Sequence, residues 1–160
     1  MLSVNIICIG TLKEKYLKDA VKEYATRLAP FCRFGISELP EYKLPQKPSP
    51  AQIEKAIEDE GKRILEKISK NSYVIPMCIE GKTLSSEALS TKIDSVALEG
   101  KSTVDFIIGG SFGLSDEVKK KGDFRLSMSP MTFPHQLARV MLCEQIYRSF
   151  QISTGGKYHK

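Results

Sequence analysis

The stretch from Ser127 to Arg139 reads SMSPMTFPHQLAR. It holds two prolines and two methionines, no acid, and no charge before its His135/Arg139 end. It joins a strand-like segment to a helix-like one, where an ordinary connection is shorter and more polar. A junction this long and apolar reads as a buried turn facing a ligand, with Pro130 and Pro134 stiffening its backbone.

Outward from this junction the chain alternates strands and helices. Apolar runs at 4–9, 33–39, 73–79, 104–108 and 124–128 read as strands. Between them, helical spacing of apolar residues covers 12–28, 50–68, 86–98 and 134–151, and a short helix covers 115–122. Ser49, Pro50 and Gln52 form a helix-start signature, and Ser115 followed by Asp116 and Glu117 forms another. The prolines at 40, 45, 48 and 50 make 40–49 a loop. Five strands alternating with helices imply an α/β fold with a mostly parallel sheet.

Bulk properties narrow the classes. Apolar residues at 41% and charged residues at 27% are ordinary for a globular chain, so the 160 residues read as one soluble domain, 1–160. No apolar run approaches the roughly 18–20 residues that cross a bilayer, and no membrane partner is expected. The opening MLSVNIICIG lacks a basic n-region and a cleavage site, and reads as a buried strand. Cys8, Cys32, Cys78 and Cys143 are scattered without a C-x-x-C pair, which argues against zinc or a disulfide scaffold and suits a reducing cytoplasm. With only two histidines, His135 and His159, no metal site is expected. The net charge of +5 and pI near 9.0 fit an anionic partner such as nucleic acid.

Three stretches could carry chemistry. DFIIGGSFGLSDE, 105–117, runs from an apolar strand through a glycine cluster to a capped helix, where open α/β sheets bind ligands. It matches neither the dinucleotide fingerprint nor a P-loop. The last helix is apolar on more than one face, which points to a subunit interface; its Glu144 and Arg148 are spaced for an ion pair, and His135 and Arg139 share another row. The ending STGGKYHK places an aromatic, an imidazole and two ammoniums after a glycine pair expected to be flexible, a composition suited to stacking on a base and contacting phosphate.

The motifs IGTLKEKY, IIGGSFG, SMSPMTFPHQLARVMLCEQIYRSF and the closing YHK together resemble the ribosomal RNA large-subunit methyltransferase H family, over essentially the whole chain. The resemblance implies a SPOUT-type α/β domain with a C-terminal trefoil knot, working as a homodimer in the cytoplasm. It implies methyl transfer from S-adenosylmethionine to N3 of a pseudouridine in 23S ribosomal RNA of the large subunit or assembled ribosome. A threaded segment must have length without charge, since it is buried against other loops, which accounts for the composition of 127–139.

The resemblance also implies a cofactor pocket from three junctions: Met77, where relatives often carry leucine; Gly109; and the loop Met128, Ser129, Pro130, Met131, Thr132, Phe133. Arg148, Tyr158 and His159 are expected nearest the reacting base, to stabilise an imide anion, orient the base, and take or relay its proton. His135 and Arg139 are second candidates for that chemistry. Two other readings stay open: a SPOUT methyltransferase acting on tRNA, and a ribosome-binding module without catalysis.

Overall fold

The computed structural model describes residues 1–160. Strands β1 (Ser3–Ile9), β2 (Arg33–Leu39), β3 (Tyr73–Thr83), β4 (Thr103–Ile108) and β5 (Leu126–Ser127) form one sheet in the order β2-β1-β4-β3-β5. Every pairing is parallel. Helices α1 (Lys15–Leu28), α2 (Pro50–Lys67), α3 (Ser86–Leu98), α4 (Asp116–Lys121) and α5 (His135–Ser153) connect and cover them.

The period-2 alternation of each central strand sends side chains into two cores. Val4, Ile6 and Cys8 of β1 and Val104, Phe106 and Ile108 of β4 join Leu28 of α1, Leu89 and Ile93 of α3, and Leu142 and Ile146 of α5. On the opposite side Ile7, Ile9 and Ile107 pack with Ile64 of α2 and Val118 of α4. The one acid inside β4, Asp105, is fully buried and accepts from Asn5 Nδ2 at 2.8 Å and from the Ser69 amide at 2.7 Å, so its desolvation is compensated.

The helix starts follow the chemistry of their caps. Ser49 Oγ accepts from the Gln52 amide at 3.2 Å while Gln52 Oε1 accepts from the Ser49 amide at 2.8 Å, a reciprocal capping box. Ser115 Oγ accepts from the Val118 amide at 3.3 Å and starts α4.

Four boundaries differ from expectation by two residues or more. Strand β3 runs on to Thr83, while β5 shrinks to two residues. The cause is a break in their pairing: Leu126 faces Met77 in one register and Lys82 in the next. Upstream, the amides of Asp123 and Phe124 both turn to the Val74 carbonyl and leave no strand geometry for 124–125. Helix α1 starts only at Lys15, because Leu12 stays outside the helix with its amide on Glu38 Oε2. Helix α5 continues two residues past its expected end, to Ser153.

Helix α5 lies between α1 and α3 on one face of the sheet. Those two helices supply much of the cover that its low amphipathicity demands, so a subunit interface is not needed for most of that apolar surface. The route from β5 at one sheet edge back to α5 between α1 and α3 is consistent with the expected trefoil knot.

Candidate functional site

Segments far apart in sequence close on one cavity of about 780 Å³ at the carboxyl ends of β3, β4 and β5. Met77, Cys78, Ile79 and Glu80 come from β3, Ile108 and the turn 109–114 from the end of β4, and 126–129, 131–135 and Ala138 from β5, the loop after it and the start of α5. Its volume is that of a small-molecule site, and its walls are mostly apolar, from Met77, Ile108, Phe112, Leu114, Met128 and Phe133.

Backbone shape in this cavity is fixed locally. The Gly113 amide donates to the Gly110 carbonyl at 3.1 Å, and Gly113 takes φ of +86°, which favours glycine. A Cβ on Gly109 would meet the Gly113 carbonyl carbon at 2.8 Å, so only glycine lets this turn close on itself. In the proline-rich loop, Ser127 Oγ donates to the Ser129 carbonyl at 3.1 Å and Ser129 Oγ accepts from the Met131 amide at 3.0 Å. These side-chain turns hold 127–131 in one shape.

Of the residues expected around a cofactor, Met77, Gly109, Met128, Ser129, Met131, Thr132 and Phe133 all line the cavity. Pro130 does not; it is exposed and acts on the loop through its fixed φ. Sequence reasoning missed Glu80, which forms an ion pair with Lys119 on the cavity wall, as well as Cys78 and Phe112. No local pattern marks Glu80, since it lies on β3 and its partner on α4.

The candidates at the end of the chain form a second group. Arg148 Nε donates to Glu144 Oε1 at 2.8 Å, and Tyr158 Oη donates to Glu144 Oε2 at 2.8 Å. Arg148 Nη1 lies 3.1 Å from His159 Nδ1, and His159 Nε2 lies 2.7 Å from Glu87 Oε1. The Arg148 guanidinium also covers the Tyr158 ring at 4.7 Å, while Tyr147 meets that ring edge-on at 4.9 Å. The hydrogen bond to the Glu144 carboxylate, aided by burial, pushes the Tyr158 hydroxyl up to about 12.

The expected flexibility of Gly155 and Gly156 is therefore corrected. The Gly156 amide donates to the Gln151 carbonyl at 2.8 Å and the Gly155 amide to Ile152 at 3.2 Å, with Gly155 at φ of +71°. This is a Schellman turn, which ends α5 and sends the tail back along it.

Arg148, Tyr158 and His159 are thus brought together, but none lines the large cavity. Arg148 stands about 20 Å beyond His135 along the helix, at 1.5 Å per residue. Between the two groups lies a smaller cavity of about 290 Å³, lined by Met77 and Met128 from the first and Glu144 from the second.

The second-rank candidates separate. His135 lines the large cavity, whereas Arg139 is 1% exposed and does not. The Arg139 guanidinium donates to Glu38 Oε2 at 2.6 Å and to the Gly10 carbonyl at 3.1 Å, tying α5 to the ends of β1 and β2.

This arrangement has relatives. The family profile described as "Predicted SPOUT methyltransferase" matches residues 2–159. The chain is 51% identical over 159 residues to the ribosomal RNA large subunit methyltransferase H of Clostridium acetobutylicum, covering 99% of this chain and 100% of that one.

The chain belongs to the ribosomal RNA large-subunit methyltransferase H family of SPOUT methyltransferases.

Solved structures of more distant proteins share the fold. A probable methylase family protein from Haemophilus influenzae Rd KW20 superposes with a TM-score of 0.55 at 13% identity, over 98% of this chain and 70% of that one. A tRNA (m1G37) methyltransferase from Aquifex aeolicus gives 0.53 at 13% identity, over 91% and 69%. As a methyltransferase H family member, the protein is an enzyme. No group of three or more His, Cys, Asp or Glu side chains gathers as a metal site, and no helix is long and apolar enough to cross a membrane.

Proposed function

We propose that this methyltransferase transfers a methyl group from S-adenosylmethionine to N3 of a pseudouridine in the 23S ribosomal RNA of the large subunit. The observation that carries the reading is the closure of 77–80, 108–114 and 126–138 on one largely apolar cavity, in a chain whose relatives are named as large-subunit rRNA methyltransferases. The residues suit the cofactor: the turn at Gly109 leaves room only for backbone, and Met77, Met128 and Phe133 offer the walls an adenine needs. Ser129, Pro130, Met131 and Thr132 complete the loop that would hold it. When bound, S-adenosylmethionine supplies an electrophilic methyl on a sulfonium.

The chain's own groups do the rest. The smaller cavity, reaching from Met128 to Glu144, receives the base. Tyr158 orients the base by its ring or hydroxyl, Arg148 stabilises the imide anion that develops as N3 loses its proton, and His159 takes or relays that proton. Met131, exposed at 71%, Phe112, at 49%, and Leu137, at 41%, leave apolar surface at the cavity and the start of α5, which supports pairing with a second copy. The working unit is accordingly a homodimer of 1–160 single domains. Four free cysteines support a cytoplasmic setting.

The test supplies labelled S-adenosylmethionine with ribosomes, or with tRNA, from a strain lacking this gene. One methyl group on a 23S pseudouridine is the expected product. Labelled tRNA with unlabelled ribosomes would replace the substrate, and a flat calorimetric titration with the cofactor would remove the catalytic reading.

A further inference from the structure

Glu87, in the first turn of α3, has no place in the chemistry above, yet it makes the outermost contact of the tail. Its carboxylate meets His159 Nε2 at 2.7 Å, across 72 positions of sequence. The ground beneath it is rigid. Ser86 Oγ donates to Gln145 Oε1 at 2.7 Å, Ser90 Oγ to the Ser149 carbonyl at 2.7 Å, and Ser153 Oγ to Asp94 at 2.8 Å. These bonds recur once per helical turn on both helices and lock α3 against α5 in one register. Glu87 sits beside the first of them, so its position relative to Arg148 is set by the helix pair and not by the tail.

The donors and acceptors then leave one assignment. A guanidinium has donors only, so His159 Nδ1, 3.1 Å from Arg148 Nη1, must present its lone pair. A carboxylate has acceptors only, so Nε2 must carry the proton that goes to Glu87. From Tyr158 through Glu144, Arg148 and His159 to Glu87, every donor faces an acceptor.

We propose that Glu87 is a positioning residue for methyl transfer, holding the C-terminal tail on α3 and fixing His159 as the Nε2–H tautomer with its Nδ1 lone pair available. The proposal rests on the reading that the tail meets the reacting base. As the N3–H bond breaks, Arg148 turns to the anion developing on the imide, and the N3 lone pair forms its bond to the methyl carbon while the methyl–sulfur bond breaks. The freed Nδ1 lone pair takes the N3 proton, and the imidazolium so formed keeps its Nε2–H on the Glu87 carboxylate. Without Glu87 the His159 ring loses one of its two hydrogen bonds and is free to turn away from Arg148, and the imidazole populates either tautomer.

Two variants and one spectrum test this. Glu87→Ala is expected to lower kcat about tenfold or more, with KM for ribosomes and cofactor affinity changed less than about threefold. Glu87→Gln keeps an acceptor for Nε2–H and should recover most of the loss. Nitrogen-15 spectra of the His159 ring, assigned by their loss in His159→Asn, should show a bare Nδ1 and a protonated Nε2 in the parent chain and a tautomer mixture in Glu87→Ala. An unchanged kcat in Glu87→Ala, or a protonated Nδ1 in the parent at neutral pH, would overturn the proposal. A parent chain that methylates no rRNA would instead defeat the substrate reading, while the ring spectra would still decide the Glu87 contact.

Discussion

Arg139 and Glu38, 101 residues apart, meet at 2.6 Å, with the arginine side chain almost wholly buried and the glutamate partly open to water. The same guanidinium reaches the Gly10 carbonyl, so one side chain joins α5 to the ends of β1 and β2. Its Nε has no partner, and the two bonds it does make carry its burial. Arg139→Met should therefore lower stability by about 2–4 kcal/mol, below the full cost of a broken buried pair because Glu38 can rehydrate. Urea unfolding measures it, and a loss under about 1 kcal/mol would refute the clamp. Lysine should not rescue, since one ammonium lacks the planar fork that serves both acceptors.

Gly109→Ala tests the glycine turn. The added carbon would press on the Gly113 backbone at 2.8 Å, where no side chain can move aside. Stability should fall by about 1–3 kcal/mol, and S-adenosylmethionine affinity should drop further than stability explains. Calorimetry beside thermal unfolding separates the two, and undiminished affinity would remove Gly109 from the pocket.

The thiols should react unequally. Burial pushes Cys8 and Cys32 up to about 11 and Cys143 to about 12, which leaves them protonated and covered. Cys78 is only half-buried and lines the large cavity, although burial raises it too. At about pH 8, a thiol reagent should label Cys78 alone in the native chain, and saturating S-adenosylmethionine should slow that labelling. Equal labelling with and without cofactor would separate the cofactor from this cavity.

Tyr158 should ionise late. Its hydrogen bond to Glu144 raises the hydroxyl from 10.0 to about 12, so the neutral form is favoured in the folded chain. The resulting stabilisation is complete below pH 10 and disappears as pH rises through about 12. Absorbance of tyrosinate at about pH 11 should be nearly equal in the parent chain and in Tyr158→Phe. A clear deficit in the variant at that pH would mean that the tail is undocked.

What could be read from the chain depended on how local its cause was. The limits of β2, the Ser49 box and the Ser115 cap follow from neighbours within a few residues, and they stand where periodicity and capping chemistry put them. The two-residue β5 was not legible, because its length is decided by a register break against a strand about 45 residues upstream. Likewise the glycine pair at 155–156 carried the composition of a loose end, yet the Gln151 and Ile152 carbonyls turn it into a helix stop. Around the large cavity, seven of the eight expected cofactor residues came together because each lies at a strand end or in the proline loop. Glu80 and Glu87 escaped notice, since each looks like an ordinary charged surface residue until its distant partner is in place.

The interior position of β1 has a cost during synthesis. β1 lies between β2 and β4, and Asn5 finds its partner Asp105 only 100 residues later. At about 5–20 residues per second, the far edge of this apolar strand waits roughly 5–20 s on the nascent chain before β4 can cover it. Contacts of such high contact order also slow folding after release. Nascent chains arrested before β4 emerges should be cut readily by protease, and those carrying all 160 residues clear of the ribosome should resist. A chain that modifies ribosomes would thus spend its own first seconds on one as a half-built sheet with an open edge.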